Sequence, residues 1–498
     1  MNRCSYAAKA ILLGLFSAQV LSTIQVYLSN GDLYQKLTSI RDAGYLAIPN
    51  QQIMYSLQEF GPAFFGGLFF TLTVGAGLSV LSFAAAWLWD RILSRNKFLL
   101  ISFLLLLMGC LVGVNRRGFS PMVTSYFLVI PTVVFVGTLR WMPGEDNRRV
   151  WLNRMVHVIS ITLLALFWAS QMGSHMFLNI RDNLLLSNPL GRKINDSYYK
   201  YTLYPAEVFK SLDQKILKTC SLESIKQESV VSALEKELLN HDYLNVGGHE
   251  AVDLKIAQEG NIFLFDNKGR TILRVTLKDF LSGPGGVLKE FSFKSDKSGF
   301  FRQFTFLSLL VGFPVTLYVI LHALFCIVLR FLVDSRTSSM IASILCFLLG
   351  VALLIPLHLS KGKEIDVKAL AEALESERWQ ERVAALKIAQ QEGIEVGGFK
   401  AYQTMLASPR IPERYWLVRA LGVSRQSETY KDLLTFLDDP CPNVVSMAFY
   451  ALGQRGDKRA IKEIIKKIQM SDDWYNQWYA YKALRNLGWK QNRLTEKP

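Results

Sequence analysis

The sequence predicts a mainly α-helical membrane protein with a small α+β domain and a C-terminal α-solenoid. Three observations predict this class: a mean hydropathy of +0.20 with 50% apolar residues, apolar runs that alternate with segments of mixed composition, and a repeat in the last segment. A soluble protein of 498 residues is ordinarily less apolar. We expect transmembrane helices 1 to 5 in 1–179, an extracytoplasmic α+β domain in 180–300, transmembrane helices 6 and 7 in 301–360, and a repeat domain in 361–498.

Seven apolar runs predict the helices of a polytopic bundle. They cover 8–28, 61–89, 98–114, 122–139, 155–178, 304–329 and 339–357. Each is close to the roughly 20 residues that a helix needs to cross about 30 Å of hydrocarbon. The first run follows Arg3 and Lys9, as the core of a signal peptide would. It is longer than such a core, so we interpret it as a retained helix.

The basic residues beside these runs predict the orientation of the bundle. Short connections that face the cytoplasm carry an excess of Lys and Arg. Four basic residues lie on one side: Lys36, Arg41, Arg116 and Arg117. Eleven lie on the other: Arg3, Lys9, Arg91, Arg95, Lys97, Arg140, Arg148, Arg149, Arg154, Arg330 and Arg336. We therefore expect a cytoplasmic N-terminus in a cell inner membrane, with both mixed segments on the outer side.

The segment 180–300 predicts a small α+β domain. From Pro205 a helical pattern runs with one break to about Asn240, and after Gly247-Gly248 the apolar period changes to two. Three short strands at 252–257, 262–265 and 271–277 then form an antiparallel meander. A group of tyrosines precedes the domain, and its position beside a spanning helix favours the lipid headgroup layer over ligand stacking: Tyr198, Tyr199, Tyr201 and Tyr204.

The C-terminal segment repeats itself with one period. Leu374, Leu406, Leu437 and Ile468 are 32, 31 and 31 residues apart, and we place each near the end of the second helix of a unit or in the turn after it. Four Ala-Leu pairs recur at 35, 31 and 32 residues: Ala385-Leu386, Ala420-Leu421, Ala451-Leu452 and Ala483-Leu484. A fixed period of this length predicts stacked helix pairs.

These positions resemble HEAT repeats of the short, phycobilin-lyase type. The resemblance is carried by Leu437-Asp438-Asp439-Pro440, followed by Val444-Val445 and Ala451-Leu452-Gly453. It covers about 130 residues, and the first unit departs from it with Lys387 in place of Gly. The resemblance implies protein binding. Four aromatic residues on consecutive turns of one helix, which either fill the core between repeats or form the binding face, are Trp474, Tyr475, Trp478 and Tyr479.

Candidate chemistry is sparse. Phosphate-loop, G-x-S-x-G, H-E-x-x-H and kinase motifs are absent from the sequence, and no Cys or His spacing indicates a metal site. Isolated acids in the first outer loop, Asp32 and Asp42, are weak support for a glycosyltransferase acting on lipid-linked sugars. Histidines on different spanning helices could hold a haem if those helices are neighbours: His157, His175, His322 and His358. A disulfide between Cys220 and Cys441 is a further alternative.

The interpretation that best fits these features is a non-catalytic membrane subunit or scaffold without a cofactor, whose repeats bind a protein partner. One alternative is a transport or lipid-handling protein with the outer domains as gate or receptor, because Pro131, Gly312 and Pro314 interrupt apolar runs. Another is a haem-binding redox subunit. The formal net charge of +15 is not accompanied by a nucleic-acid recognition motif, so we expect the lipid bilayer, not nucleic acid, as the second partner.

Overall fold

The computed structural model describes residues 5–144, 151–248, 252–360 and 366–493, which are mainly helical with one small sheet. The N-terminal helices are α1 (Tyr6–Asp42), α2 (Gln51–Ser56), α3 (Phe60–Phe70), α4 (Ala76–Arg91), α5 (Lys97–Asn115), α6 (Pro121–Trp141) and α7 (Trp151–Ala169). A π-helical turn at Thr71–Gly75 joins α3 to α4. Helix α1 extends well beyond its apolar run, because its polar end packs against the rest of the chain.

The middle of the chain contains the sheet. Its elements are α8 (Met176–Ile180), α9 (Pro189–Tyr201), α10 (Leu203–Phe209), β1 (Lys218–Ser224), α11 (Glu228–Asn240), β2 (Tyr243–Asn245), β3 (Leu254–Glu259), β4 (Ile262–Asn267), β5 (Arg270–Thr276), α12 (Leu277–Ser282) and α13 (Pro284–Ser295). The strand order is β2-β1-β3-β4-β5. Strands β3, β4 and β5 form the predicted antiparallel meander.

The helical interpretation of 205–240 is wrong over β1. This strand lies inside the sheet and pairs in parallel with β2 and β3. Its first five residues are buried, so it lacks the alternation of apolar and polar residues that marks a half-exposed strand.

Three helices follow the sheet: α14 (Gly299–Leu307), α15 (Phe313–Leu329) and α16 (Ser335–Ser360). Among the described residues, six helices are long and apolar enough to cross a membrane, with α3–α4 and α14–α15 each counted as one. The predicted seventh run, 155–178, is not one continuous helix. Helix α7 ends at Ala169 and α8 begins at Met176, and Met155–Ala169 is the apolar part of α7 among the described residues.

Two of these long helices cross at glycine. A Cβ added to Gly77 would lie 2.1 Å from Ser308 Oγ, and one added to Gly312 would lie 2.6 Å from Gly77 Cα. Both contacts are below the van der Waals limit, so only glycine permits this approach of α4 to the π-helical turn Ser308–Gly312. Pro131, by contrast, lies within the continuous helix α6.

The two ends of the apolar helices have different neighbours. At one end, Lys36 Nζ lies 2.6 Å from Asp253 Oδ1 beside the sheet, and Arg117 Nη1 donates to the Phe293 carbonyl at 2.7 Å. At the other end, Arg91 donates to the Pro143 carbonyl, between the connections that follow α4 and α6. The sheet therefore contacts the end that we predicted to face outward.

The C-terminal region is a solenoid of four helix pairs. Its helices are α17 (Leu370–Glu375), α18 (Trp379–Glu392), α19 (Tyr402–Leu406), α20 (Ile411–Leu421), α21 (Ser427–Thr435), α22 (Pro442–Arg455), α23 (Ala460–Met470) and α24 (Trp474–Asn486). We call α18, α20, α22 and α24 the inner layer and the other four the outer layer. Leu374 and its equivalents belong to the first helix of each pair or the turn after it, so our assignment to the second helix is wrong.

One hydrogen bond repeats between the layers. Arg382, Arg414 and Gln477 occupy the same position in three inner helices, and each donates to the carbonyl of the serine six residues earlier. Close stacking of the inner helices depends on the predicted small residues. A Cβ on Gly453 would lie 2.8 Å from Ala483 Cα, so glycine after the Ala-Leu pair sets the spacing of α22 and α24.

Candidate functional site

The inner layer of the solenoid is covered by the chain's own segment 176–205. Arg181 and Asp182 form a buried ion pair there, with Asp182 only 1% exposed. Asp182 Oδ2 accepts a hydrogen bond of 2.8 Å from Trp416 Nε1, and the Arg181 guanidinium lies 3.7 Å above the Tyr415 ring. Removing Asp182 would leave the Arg181 guanidinium buried without its carboxylate, whereas Asp182 has a second cation in Lys387 at 4.0 Å. This contact fixes α20 to the segment.

Helices α9 and α10 continue the same contact. Asn195 donates to Asn443 Oδ1 at 2.7 Å, and both residues are buried. Because Asn195 lies on α9 and Asn443 on α22, this bond extends the interface by one repeat.

A loop between α1 and α2 is hydrogen-bonded to the last repeat. The Asn50 side-chain Nδ2 donates to the carbonyls of Ile468, Gln469 and Ser471 at 2.9–3.1 Å. The Asn50 backbone N–H donates to Gln477 Oε1 at 2.7 Å. Two of these carbonyls, on Ile468 and Gln469, belong to the last turn of α23, where carbonyls have no partner within the helix. The loop between α1 and α2 thus docks on the turn between α23 and α24.

Two of the four aromatic residues predicted to form the binding face are packed inside the chain. The Trp474 ring meets Tyr204 edge to face at 5.1 Å, and the Tyr475 ring meets Tyr199 at 4.8 Å. Trp478 and Tyr479 lie one turn further along α24 and line a cavity. The helix face that we predicted is therefore used within the chain at one end and open to a cavity at the other.

Of the tyrosines expected in the headgroup layer, three pack within the chain and one is exposed. Tyr199 and Tyr204 pack on the solenoid, and Tyr201 stacks on Phe65 at 5.0 Å. Tyr198 is exposed on the opposite face of α9, with Leu190 and Ile194. These three residues follow the four-residue spacing of one helix face.

The cavity measures about 1060 Å³ and lies where α3, α10, α14, β1 and α24 meet. Part of its wall is apolar and comes from the long helices and α10: Phe69, Phe70, Phe209, Phe301, Phe306 and Leu309. The Phe209 and Phe301 rings stack at 4.2 Å. The aromatic wall is therefore built on the ends of two helices that are apolar enough to span a membrane.

The rest of the wall is charged. Six basic side chains line the cavity, against two carboxylates, Asp213 and Asp242: Lys210, Lys215, Lys218, Arg302, Lys482 and Arg485. Four of the six lie beside a carboxylate, and Lys215 shares its carboxylate, Asp253, with Lys36. The pairs are Lys210–Glu207 at 2.7 Å, Lys215–Asp253 at 3.6 Å, Arg302–Asp296 at 2.6 Å and Arg485–Asp242 at 3.1 Å.

Lys218 and Lys482 form no ion pair with a described residue. Lys218 is 9% exposed, and its ammonium lies 4.9 Å above the Tyr243 ring. Burial lowers the pKa of Lys218, and the more distant Asp242 and Asp213 offset only part of that effect. The Lys482 ammonium lies 3.6 Å above the Trp478 ring, and its pKa is lowered by burial and by Lys210. No sequence motif marks this cavity, because its wall comes from distant parts of the chain.

The histidines do not form the arrangement that a haem requires. His157 on α7 and His322 on α15 are neighbours, but their rings are in edge-to-face contact with centroids 4.8 Å apart. A macrocycle cannot fit between rings in contact, and His157 Nδ1 lies 3.1 Å from Ser343 Oγ and 3.2 Å from Tyr318 Oη. His358 contacts Phe167 at 5.6 Å, and His175 precedes α8.

The described residues form neither a metal cluster nor a disulfide. In the described parts of the chain, no group of three or more His, Cys, Asp or Glu side chains could hold a metal ion. The disulfide alternative is wrong, because Cys220 and Cys441 are both free thiols and belong to separate hydrophobic cores.

Comparison with known proteins bears on the solenoid alone. Residues 400–485 match HEAT repeats. No curated protein and no solved structure matches the chain. The match covers the last three helix pairs, and the first pair, with Lys387 in the glycine position, lies outside it. The C-terminal segment of this protein is therefore built from HEAT repeats, as its spacing and its Ala-Leu pairs predicted.

Proposed function

We propose that this chain is a multi-pass inner-membrane scaffold that presents its HEAT solenoid to a protein partner on the outer side of the membrane. The six long apolar helices support a membrane location. The excess of basic residues at the helix ends away from the sheet supports the orientation. HEAT repeats suggest the scaffold role, since they commonly mediate protein–protein interaction.

Helix α9 supports the same placement. Its inner face is packed on α22, whereas Leu190 is 70% exposed and Ile194 is 54% exposed on the opposite face. Large apolar side chains in such a row need a covering, and the headgroup layer supplies one to an amphipathic helix that lies flat on it. We propose that α9 lies between the solenoid and the membrane surface.

The observation that carries the scaffold role is the division of the solenoid into a covered and a free layer. Within the same chain, the inner layer binds segment 176–205, and the turn between α23 and α24 binds the loop at Asn50. The outer layer exposes Lys462, Lys466 and Met470, which form one row on α23. Neither lysine forms an ion pair with a described residue. A partner with acidic and apolar side chains fits this row.

Co-purification from native membranes tests the role. We expect the full-length protein to recover one partner reproducibly, and Lys462→Glu with Lys466→Glu to lose it by charge repulsion. The control is Lys289→Glu, on the exposed face of α13 away from the solenoid. Equal recovery by the double variant and the control would contradict the proposed surface.

The second candidate function is lipid handling, and the cavity favours it. An aromatic wall on α3 and α14 opposite a basic wall on β1 and α24 matches the two ends of an amphiphile. The cavity lies at the predicted outer end of these helices, which favours lipid handling over transport across the bundle.

A further inference from the structure

The basic residues that line the cavity are not all paired with carboxylates. Lys210, Arg302 and Arg485 each have a carboxylate at 2.6–3.1 Å, and Lys215 shares Asp253 with Lys36. Lys218 and Lys482 form no ion pair with a described carboxylate. A lysine as buried as Lys218 ordinarily has a counter-ion. The lining therefore lacks about the charge of one small anion.

The carboxylates of the lining do not supply that charge. Asp242 accepts from Tyr481 Oη at 2.5 Å and from Arg485, so it is already engaged. Asp213 is exposed to solvent. An anion between Lys218 and Lys482 would raise the lowered pKa of both ammonium groups and favour their charged forms.

The apolar wall indicates what the anion is attached to. Phe69 and Phe306 belong to α3 and α14, and Phe306 is exposed at the edge of the cavity. A free inorganic anion would gain nothing from phenylalanine rings, whereas an acyl chain that leaves the bilayer beside α14 would bury apolar area against them. About 1060 Å³ is enough for a headgroup and the first part of its chains.

We propose that this cavity binds a membrane phospholipid whose headgroup has a net negative charge, with the phosphate between Lys218 and Lys482 and the upper acyl chain against Phe209, Phe301 and Phe306. The proposal rests on the membrane placement and develops the lipid-handling candidate. Lys210 is an additional candidate donor, because its ammonium lies 5.9 Å from the centre of the Trp478 ring that Lys482 also contacts. The headgroup would thus bind between the sheet and the last HEAT repeat.

Direct binding to the full-length protein in neutral detergent tests the site without depending on its orientation in the cell. The probe is radiolabelled phosphatidylglycerol, displaced by unlabelled phosphatidylglycerol, phosphatidylcholine or inorganic phosphate. We expect saturation near one lipid per chain and displacement by phosphatidylglycerol at concentrations at least about tenfold lower than by phosphatidylcholine, since a charge-assisted hydrogen bond discriminates on that scale.

Charge removal locates the site. Lys218→Met and Lys482→Met should each weaken phosphatidylglycerol binding about tenfold, whereas the exposed control Lys289→Met should bind as the unchanged protein does. Lys482 is exposed, so its variant keeps the test valid if the buried Lys218→Met does not fold. Unchanged binding by both variants, or equal displacement by phosphatidylcholine, would overturn the proposal. Displacement by inorganic phosphate as effective as by lipid would replace it with a site for a soluble anion.

The result also separates this inference from the membrane proposal. A protein that is extracted only by detergent but does not discriminate phosphatidylglycerol retains its membrane placement and loses the headgroup site. A protein that stays in solution without detergent contradicts the membrane placement itself.

Discussion

The two layers of the solenoid come from the same repeats and have opposite surfaces. Inner helices direct Tyr415, Trp416 and Tyr475 at the chain's own segment 176–205, where Asp182 accepts a hydrogen bond from Trp416 and Asn195 donates one to Asn443. Outer helices direct Lys462 and Lys466 at solvent. Stacked repeats create a long surface that other proteins can bind. In this chain the inner layer is occupied from within, so we expect the proposed partner on the outer layer.

The largest effect on the contact between the inner layer and segment 176–205 is expected at Asp182. Asp182→Asn leaves the Arg181 guanidinium buried without its carboxylate, and we expect the interface to lose about 3–5 kcal/mol. The outer-layer control is Asp438→Asn, because Asp438 is exposed and pairs with Lys467 on the surface. Hydrogen exchange of the α20 amides measures the effect. Exchange should accelerate in Asp182→Asn alone, and equal protection in both variants would contradict the role of this ion pair.

A second test measures how much the hydrogen bonds of Asn50 to the last repeat contribute to stability. Asn50→Ala removes the amide that donates to three carbonyls at the end of α23 and the cap of α2 at Ile53. We expect a loss of about 2 kcal/mol in unfolding free energy. Gln51→Ala is the neighbouring control, because Gln51 is exposed and bonds only Tyr55. A melting temperature that falls equally in the two variants would show that the docked loop adds nothing.

Acid should weaken the attachment of α1 to the sheet. Burial alone would raise the pKa of Asp253, but Lys215 and Lys36 outweigh it and hold that pKa well below its usual range. The carboxylate therefore contributes stability above about pH 4, its unfolded pKa, and this contribution is lost progressively as the pH falls further. Melting temperatures from pH 7 to 3 should fall more steeply below pH 4 for the unchanged protein than for Asp253→Asn. Parallel curves would contradict the assignment.

The smallest effect is expected in the outer layer. Lys462→Glu with Lys466→Glu removes no described hydrogen bond or ion pair, so the unfolding free energy should change by no more than about 0.5 kcal/mol. A larger loss of stability would show that this row supports the fold, and would remove the contrast between the layers.

Local patterns identified most of the secondary structure. The Ala-Leu spacing predicted the HEAT repeats, and the alternation after Gly247 predicted β3, β4 and β5. Strand β1 was missed because a parallel strand buried on both faces has no alternating pattern. The length of α1 was missed because its polar end is stabilised by Asp253, which is 217 residues from Lys36 in sequence.

The site was harder to predict, because it depends on distances between remote residues. Four aromatic residues on α24 indicated a contact face, but not that Trp474 and Tyr475 would pack on Tyr204 and Tyr199. Nothing in the sequence distinguishes Lys218 from the other lysines, because its burial depends on the folded sheet. The role that we propose for it rests on its burial and on the lack of an ion pair with a described carboxylate.

The central claim is that the solenoid is held outside the membrane with its outer layer free, and labelling with a membrane-impermeant maleimide in intact cells tests it most directly. The unchanged chain provides the background. Lys466→Cys on α23 should be labelled at once, whereas Lys97→Cys at the start of α5 should be labelled only after the inner membrane is permeabilised. Labelling of Lys97→Cys in intact cells, with Lys466→Cys protected, would contradict the account.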